Sequence, residues 1–269
     1  MKHFLITILL LISFQIGFGQ TLESQKRVEN DSVYIDFINP FYVPIEMKLS
    51  ALDSTKAYIK VRQHAILNYQ DTLHGAFIIP KSMVKDTAKI KSSHYINFKG
   101  SFGDPKSIVN SDYRYTLPYP KNKRYKIIQS FGGKFSHNKI PSKYAIDFGT
   151  KVGDTITASR GGIVFFVKED SDEHCRTRKC IDKGNKVYIL HNDGTMAHYV
   201  HLKLNGALVE VGDKVNVGEP IAISGMTGFT TIPHLHLVVY KANGVSIPFY
   251  FKGQKSKKLK QGKYYTRRE

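Results

Sequence analysis

Cysteine is nearly absent from this chain, acids are outnumbered almost two to one, and long apolar runs are confined to its first residues. The 269 residues include two cysteines, Cys175 and Cys180. A Cys-rich metal cluster would need two more soft ligands nearby, and only His174 is at hand, which argues against that class of site. A close pair in the polar stretch Glu173–Cys180 of an exported chain instead predicts a disulfide that staples one loop. The 22 acids face 40 lysines and arginines, a formal net charge of +18. Such a surface implies a polyanionic partner. The only long apolar run is Phe4–Phe18, broken by Thr7, Ser13, Gln15 and Gly17, preceded by Lys2 and followed by small residues. That pattern predicts a secretory signal peptide over 1–20 and is too short for a membrane span. No other segment is long and apolar enough to cross a bilayer, so an integral membrane protein is not expected. No cysteine follows the run closely, which argues against a lipid anchor. Export, to a periplasm or the medium and with a Gram-negative envelope favoured, argues against nucleic acid as the polyanion; anionic cell-envelope polymers fit better. Removing residues 1–20 takes away Lys2 and no acid, leaving 39 bases against 22 acids, or +17.

Helical periodicity is weak throughout, and no repeat of fixed period is present. Residues 28–115 read as short strands: Ser32–Phe37, Tyr58–Val61 and Tyr95–Phe98 all alternate. Many short strands bury their apolar faces by stacking two sheets, so a small β-sandwich-like domain is expected. Its His64, His74 and His94 are scattered and read as structural. The two prolines and basic run of Leu117–Arg124 predict a linker over 116–124. From 125 to 250 glycines punctuate strand-like runs, including Gly162–Val167, Lys186–Leu190 and Ala197–His201. Asp193-Gly194 signals a hairpin turn between two of them. The second domain is therefore expected to be an antiparallel β-sheet, and the fold mainly β. Residues 251–269 read as a basic tail, with eight bases against one acid from Lys252 onward.

The chemistry centres on Pro233-His234-Leu235-His236-Leu237-Val238-Val239-Tyr240, a strand by its β-branched and aromatic content. Side chains two apart leave one face, so His234 and His236 point together while Leu235 and Leu237 point the other way. Two neighbouring imidazoles lose solvation and repel when protonated, and a divalent metal relieves both penalties. Upstream lie His137, Asp147 and His201. A hydrolytic zinc site takes three ligands from His, Asp and Glu and leaves a fourth position to water, a need His137, Asp147 and His236 would meet. The metal would bring the pKa of that water towards ~7. His201 and His234 would then be placed to take its proton and steady the oxyanion. His198 and His191 read as structural. Asp154, Asp193 and Asp213 each adjoin a glycine and read as turn residues.

His137, Tyr144-Ala145-Ile146-Asp147-Phe148, Tyr199-Val200-His201-Leu202, the Val209–Gly218 turn, and Gly225-Met226-Thr227-Gly228 leading into His234-Leu235-His236 together resemble the lysostaphin-type, or LytM-like, zinc metalloendopeptidases. The resemblance spans about residues 125–245 and keeps the family's order. It implies one zinc per chain held by His137, Asp147 and His236, with His201 and His234 as catalytic residues beside it. It also implies peptidoglycan as substrate, cut in its stem peptides or cross-links. Two departures stand out. Where the family places its first histidine four residues before the aspartate, this chain has Lys143, which stays cationic and cannot ligate; His137 lies ten residues upstream, so the intervening residues must loop back. Ile232 replaces the family's glycine before Pro-His-Leu-His, and a β-branched residue does not readily adopt φ > 0, so the turn there must differ. A second class of protein shares these features, a wall-binding regulator that keeps the fold without hydrolysis; a third is a carbohydrate- or anion-binding module. The N-terminal domain would position substrate or cover the metal.

Overall fold

The computed structural model describes residues 8–9, 15–16, 20–254 and 258–268. The expected signal peptide over 1–20 lies largely outside the described residues. The chain is mainly β, and its helical pieces are 3-10 segments of three to six residues. It divides into two units, one up to Asp104 and one from Pro105 onward.

In the first unit, Glu23–Glu29, Ser32–Ile38, Thr72–Pro80 and Lys60–Val61 are neighbours in one antiparallel sheet. Ile96–Phe102, Ile45–Ala51 and His64–Leu67 form a second. The period-2 patterns decide what is buried: Val33, Ile35 and Phe37 from one sheet and Ile45, Met47 and Leu49 from the other are all buried. Phe37 meets Phe98 edge-on, with centroids 6.3 Å apart, so the interior joins the two sheets.

The second unit is built on one large sheet. Its strands run in the order Lys214–Val215, Gly162–Lys168, Asn185–Leu190, Met196–Ala207, Leu235–Lys241, Ile146–Phe148, Arg124–Gln129 and Tyr264–Thr266. One face is the core, carrying Val187, Ile189, Ala197, Tyr199, Leu235, Leu237, Val239, Ile146 and Phe148. The alternation therefore sends His236 to the opposite face, between Leu235 and Leu237. The Asp193-Gly194 turn connects Asn185–Leu190 to Met196–Ala207, and Gly194 takes φ 78°.

Three expected boundaries differ. The first unit ends at Asp104 and not at 115, and Tyr115 is part of the second unit's core. The stretch 116–124, read as a linker, packs into the second unit: Leu117 and Tyr119 are buried, and the Tyr119 hydroxyl donates to the Tyr265 carbonyl at 2.7 Å. Prolines 118 and 120 hold the backbone extended while the residues between and before them insert, so proline here marks an extended wall of the domain. The stretch 251–269, read as a basic tail, also belongs to it. Phe251 and Leu259 are buried, and Tyr264–Thr266 pairs with Arg124–Lys126. Its high charge count masked a short strand.

His191, read as structural, is 2% exposed. Its Nδ1 donates to the Gly161 carbonyl at 2.9 Å, and burial pulls its pKa down to about 4. Because the folded value lies below the ordinary 6.5, the unfolded chain binds the extra proton between these values, and stability is lost as pH falls through that window. His191→Gln keeps a donor and cannot titrate. Its unfolding free energy, measured by urea titration from pH 4 to 6.5, is expected to fall less steeply on acidification, by about 1.4 kcal/mol per pH unit; identical slopes would refute this.

Candidate metal centre

The register across the sheet places Asp147 directly opposite His236, and His236 opposite Val200. Paired positions on one face of antiparallel strands hold their Cβ atoms about 5 Å apart. As a result, His236 Nδ1 lies 2.8 Å from Asp147 Oδ1. His137 arrives from a loop. Gly132 N–H donates to the Lys143 carbonyl and the Ser142 hydroxyl donates to the Ser136 carbonyl, which folds residues 138–144 back on themselves. His137 Nε2 then lies 3.2 Å from the same Asp147 Oδ1. Lys143 is exposed, its ammonium 5.4 Å from the ring centre of Tyr144.

His201 and His234 complete the cluster, their ring centroids 4.6 Å apart. His201 Nδ1 bonds the Thr227 carbonyl at 2.6 Å, and His234 Nδ1 bonds the Ile232 carbonyl at 2.9 Å with Thr230 Oγ1 at 3.2 Å. A ring nitrogen facing a carbonyl is the protonated one, so in the neutral tautomers each Nε2 is a bare lone pair. His234 Nε2 lies 3.8 Å from Asp147 Oδ1. Ile232 does not take positive φ; His201 does, at 67°.

The lone pairs make the site's chemistry plain. His137 Nδ1 donates to the Ser130 carbonyl at 3.1 Å, and its buried Nε2 has no hydrogen-bond partner. A bare nitrogen pressed against a carboxylate oxygen is repulsive unless a cation or proton lies between them. His137, Asp147 and His236 each offer one atom within 4.8 Å of the others, as do His201, His234 and His236. Two imidazoles and one carboxylate, each histidine anchored through its other nitrogen or by strand pairing, form a donor set of the kind that takes zinc. The electrostatics agree. Burial pushes the Asp147 carboxyl up, but the imidazoles of His234, His137 and His236 outweigh it and hold it well below the usual carboxylate range. Burial holds the His201 imidazole well below its usual value and lowers that of His236, where Asp147 opposes the effect.

The turn that holds His201 and His234 is itself held from behind. Cys175 and Cys180 are joined in a disulfide, with Cα atoms 5.8 Å apart. His174–Cys175 pairs with Gly228–Phe229, and Thr230 N–H donates to the Cys175 carbonyl. Gly228 takes φ +83°, and a Cβ there would sit 2.6 Å from the Gly184 Cα. Gly228→Ala is expected to lower the melting temperature, because the new Cβ must displace the Gly184 backbone and with it the turn that carries the Thr227 and Thr230 tethers of His201 and His234. Gly244→Ala, with φ +65° and nothing within 4 Å, carries only backbone strain of about 1 kcal/mol. Equal melting temperatures of the two variants, read by circular dichroism, would overturn this.

Sequence reasoning gave no role to Gln129, Ser130, Thr227 or Thr230. Three act through main-chain carbonyls or a tethering hydroxyl, which leave no mark on residue type. Gln129 carried a side-chain signal that strand reading alone did not isolate.

The fold and this cluster define a β-sheet domain with a histidine–carboxylate centre suited to a metal. Residues 141–248 match the model of Peptidase family M23, and this part of the chain is an M23 domain. Asp147, His201, His234 and His236 fall inside the match, and His137 falls just before it. Similar curated proteins include an uncharacterized metalloprotease of Buchnera aphidicola, 34% identical over 128 residues, covering 46% of this chain and 31% of that protein. Peptidoglycan DD-endopeptidase ShyA of Vibrio cholerae is 31% identical over 121 residues, covering 44% and 25%. The chain thus spans about a third or less of the length of these two relatives. Among solved structures, the catalytic domain of lysostaphin from Staphylococcus simulans is 25% identical with a TM-score of 0.34, covering 47% of this chain and 87% of that one. A zinc-containing peptidase from Vibrio cholerae is 16% identical with a TM-score of 0.38, covering 90% and 83%.

Proposed function

We propose that this chain is an exported zinc metalloendopeptidase that hydrolyses peptide bonds in the stem peptides or cross-links of peptidoglycan. The observation that carries the reading is the meeting of His137 Nε2, Asp147 Oδ1 and His236 Nδ1 around one point, with the His137 nitrogen otherwise unsatisfied. These three would hold one zinc ion per chain. When bound, zinc supplies Lewis acidity that activates a water and polarises the scissile carbonyl. The other two imidazoles do the proton work. His201 and His234 stand on one side of Asp147 with Nδ1 tethered to carbonyls, so each keeps an Nε2 lone pair for a proton leaving the nucleophile and can pass it to the departing amine. Burial keeps His201 neutral at physiological pH, the state a base requires. Peptidoglycan is supported by the M23 domain and by relatives named as peptidoglycan endopeptidases. The excess of bases suits attachment to anionic cell-envelope polymers.

The test uses the full chain on purified peptidoglycan, with zinc measured by atomic absorption. One zinc per chain with release of new amino termini, lost on chelation and restored by zinc, is the expected result. Zinc without any new amino termini would sink the enzyme and leave a binding protein.

A further inference from the structure

Gln129, Asp147, His236 and Val200 are successive register partners on four adjacent strands, so they stand in one row across the sheet. The first of them is 7% exposed and has every polar atom engaged. Gln129 Nε2 donates to Asp147 Oδ2 at 3.3 Å and to Ser136 Oγ at 2.7 Å, while its Oε1 accepts from Phe135 N–H at 3.2 Å. The amide orientation is set by these partners, because a flip would turn its oxygen onto the carboxylate and its NH₂ onto another donor. The loop closes tightly on this side chain: a Cβ at Gly133 would lie 2.2 Å from Gln129 Cγ.

Asp147 therefore divides its oxygens. Oδ1 faces His137, His234 and His236, and Oδ2 faces the Gln129 amide. The same amide grips residues 135 and 136, immediately before His137. We propose that Gln129 is the positioning residue of the metal centre: one amide fixes which oxygen Asp147 turns toward the cation and where the Gly133–His137 loop presents the His137 nitrogen. A lysine or arginine in that place would drain the carboxylate's charge, and an acid would repel it. A neutral amide orients the carboxylate and leaves its charge for the metal. The inference rests on the metal reading above.

The test is the zinc dissociation constant of the full chain, measured by competition with a chromophoric chelator, together with the visible spectrum of the cobalt-substituted protein. Gln129→Met keeps length and burial and removes both donors. Partners that orient a metal ligand typically contribute 10–100-fold in affinity. Zinc is expected to bind at least tenfold more weakly, and the cobalt bands to change in position or intensity. Folding of the metal-free variant is followed separately by circular dichroism. A smaller shift in a folded Gln129→Met protein overturns the proposal. Should that variant not fold, Ser136→Ala decides in its place: it removes the 2.7 Å anchor, at least threefold weaker zinc supports the proposal, and an unchanged constant overturns it. If the unaltered chain holds no zinc, the metal reading itself fails; if it holds zinc and the variants hold it equally well, only the role of Gln129 fails.

Discussion

His137→Ala is expected to bind zinc more than about 100-fold more weakly than the unaltered chain, exceeding the 10–100-fold typical of a residue that only supports a ligand, whereas His201→Ala keeps its zinc. The cluster contains two possible triads that share His236: His137 with Asp147, and His201 with His234. The first offers a carboxylate whose charge offsets that of the cation, and its His137 nitrogen is buried without a partner. The second is wholly neutral and loses that electrostatic contribution. His236→Ala removes a ligand from either triad and so loses metal and activity together. The comparison of His137→Ala with His201→Ala discriminates. Zinc retained in the former and lost in the latter would move the centre to the three-histidine set and refute the assignment.

The second large effect falls on turnover. His201→Ala and His234→Ala are expected to lower the rate of amino-terminus release by ~10²–10⁴-fold at full zinc occupancy, the usual contribution of a proton-transfer group. Their rings are 4.6 Å apart and both tethers come from the Thr227–Ile232 turn, so the pair is built as a unit. Groups that act as a unit are not additive, and the double variant is expected to be little slower than the worse single one. Zinc-loaded single variants that retain wild-type rates would remove both residues from the chemistry.

Much of this arrangement is written in strand parity. Leu235 and Leu237 are core residues, which forces His234 and His236 to the other face; that follows from a period of two. The alignment of Asp147 with His236 is another matter. It joins residues 89 apart through a three-residue strand, and such pairing is set by the whole sheet. The return of the loop bearing His137 depends on a backbone bond from Gly132 to Lys143 and on the Ser142 hydroxyl reaching the Ser136 carbonyl, partners that residue identity does not announce. At the domain edges, composition pointed the wrong way. Prolines 118 and 120 read as a linker, yet Leu117 and Tyr119 are core residues. The lysine-rich end read as a tail, yet Tyr264–Thr266 completes the sheet.

His201 has a backbone suited to glycine, with φ 67°. Holding a residue with a Cβ there costs the native state about 1 kcal/mol that glycine would not lose. His201→Gly would relieve that strain but give up the buried ring and its bond to the Thr227 carbonyl, and on the proposed function it would lose the same ~10²–10⁴-fold in rate as His201→Ala. Backbone strain and the position of one proton-carrying ring are therefore set at a single α-carbon.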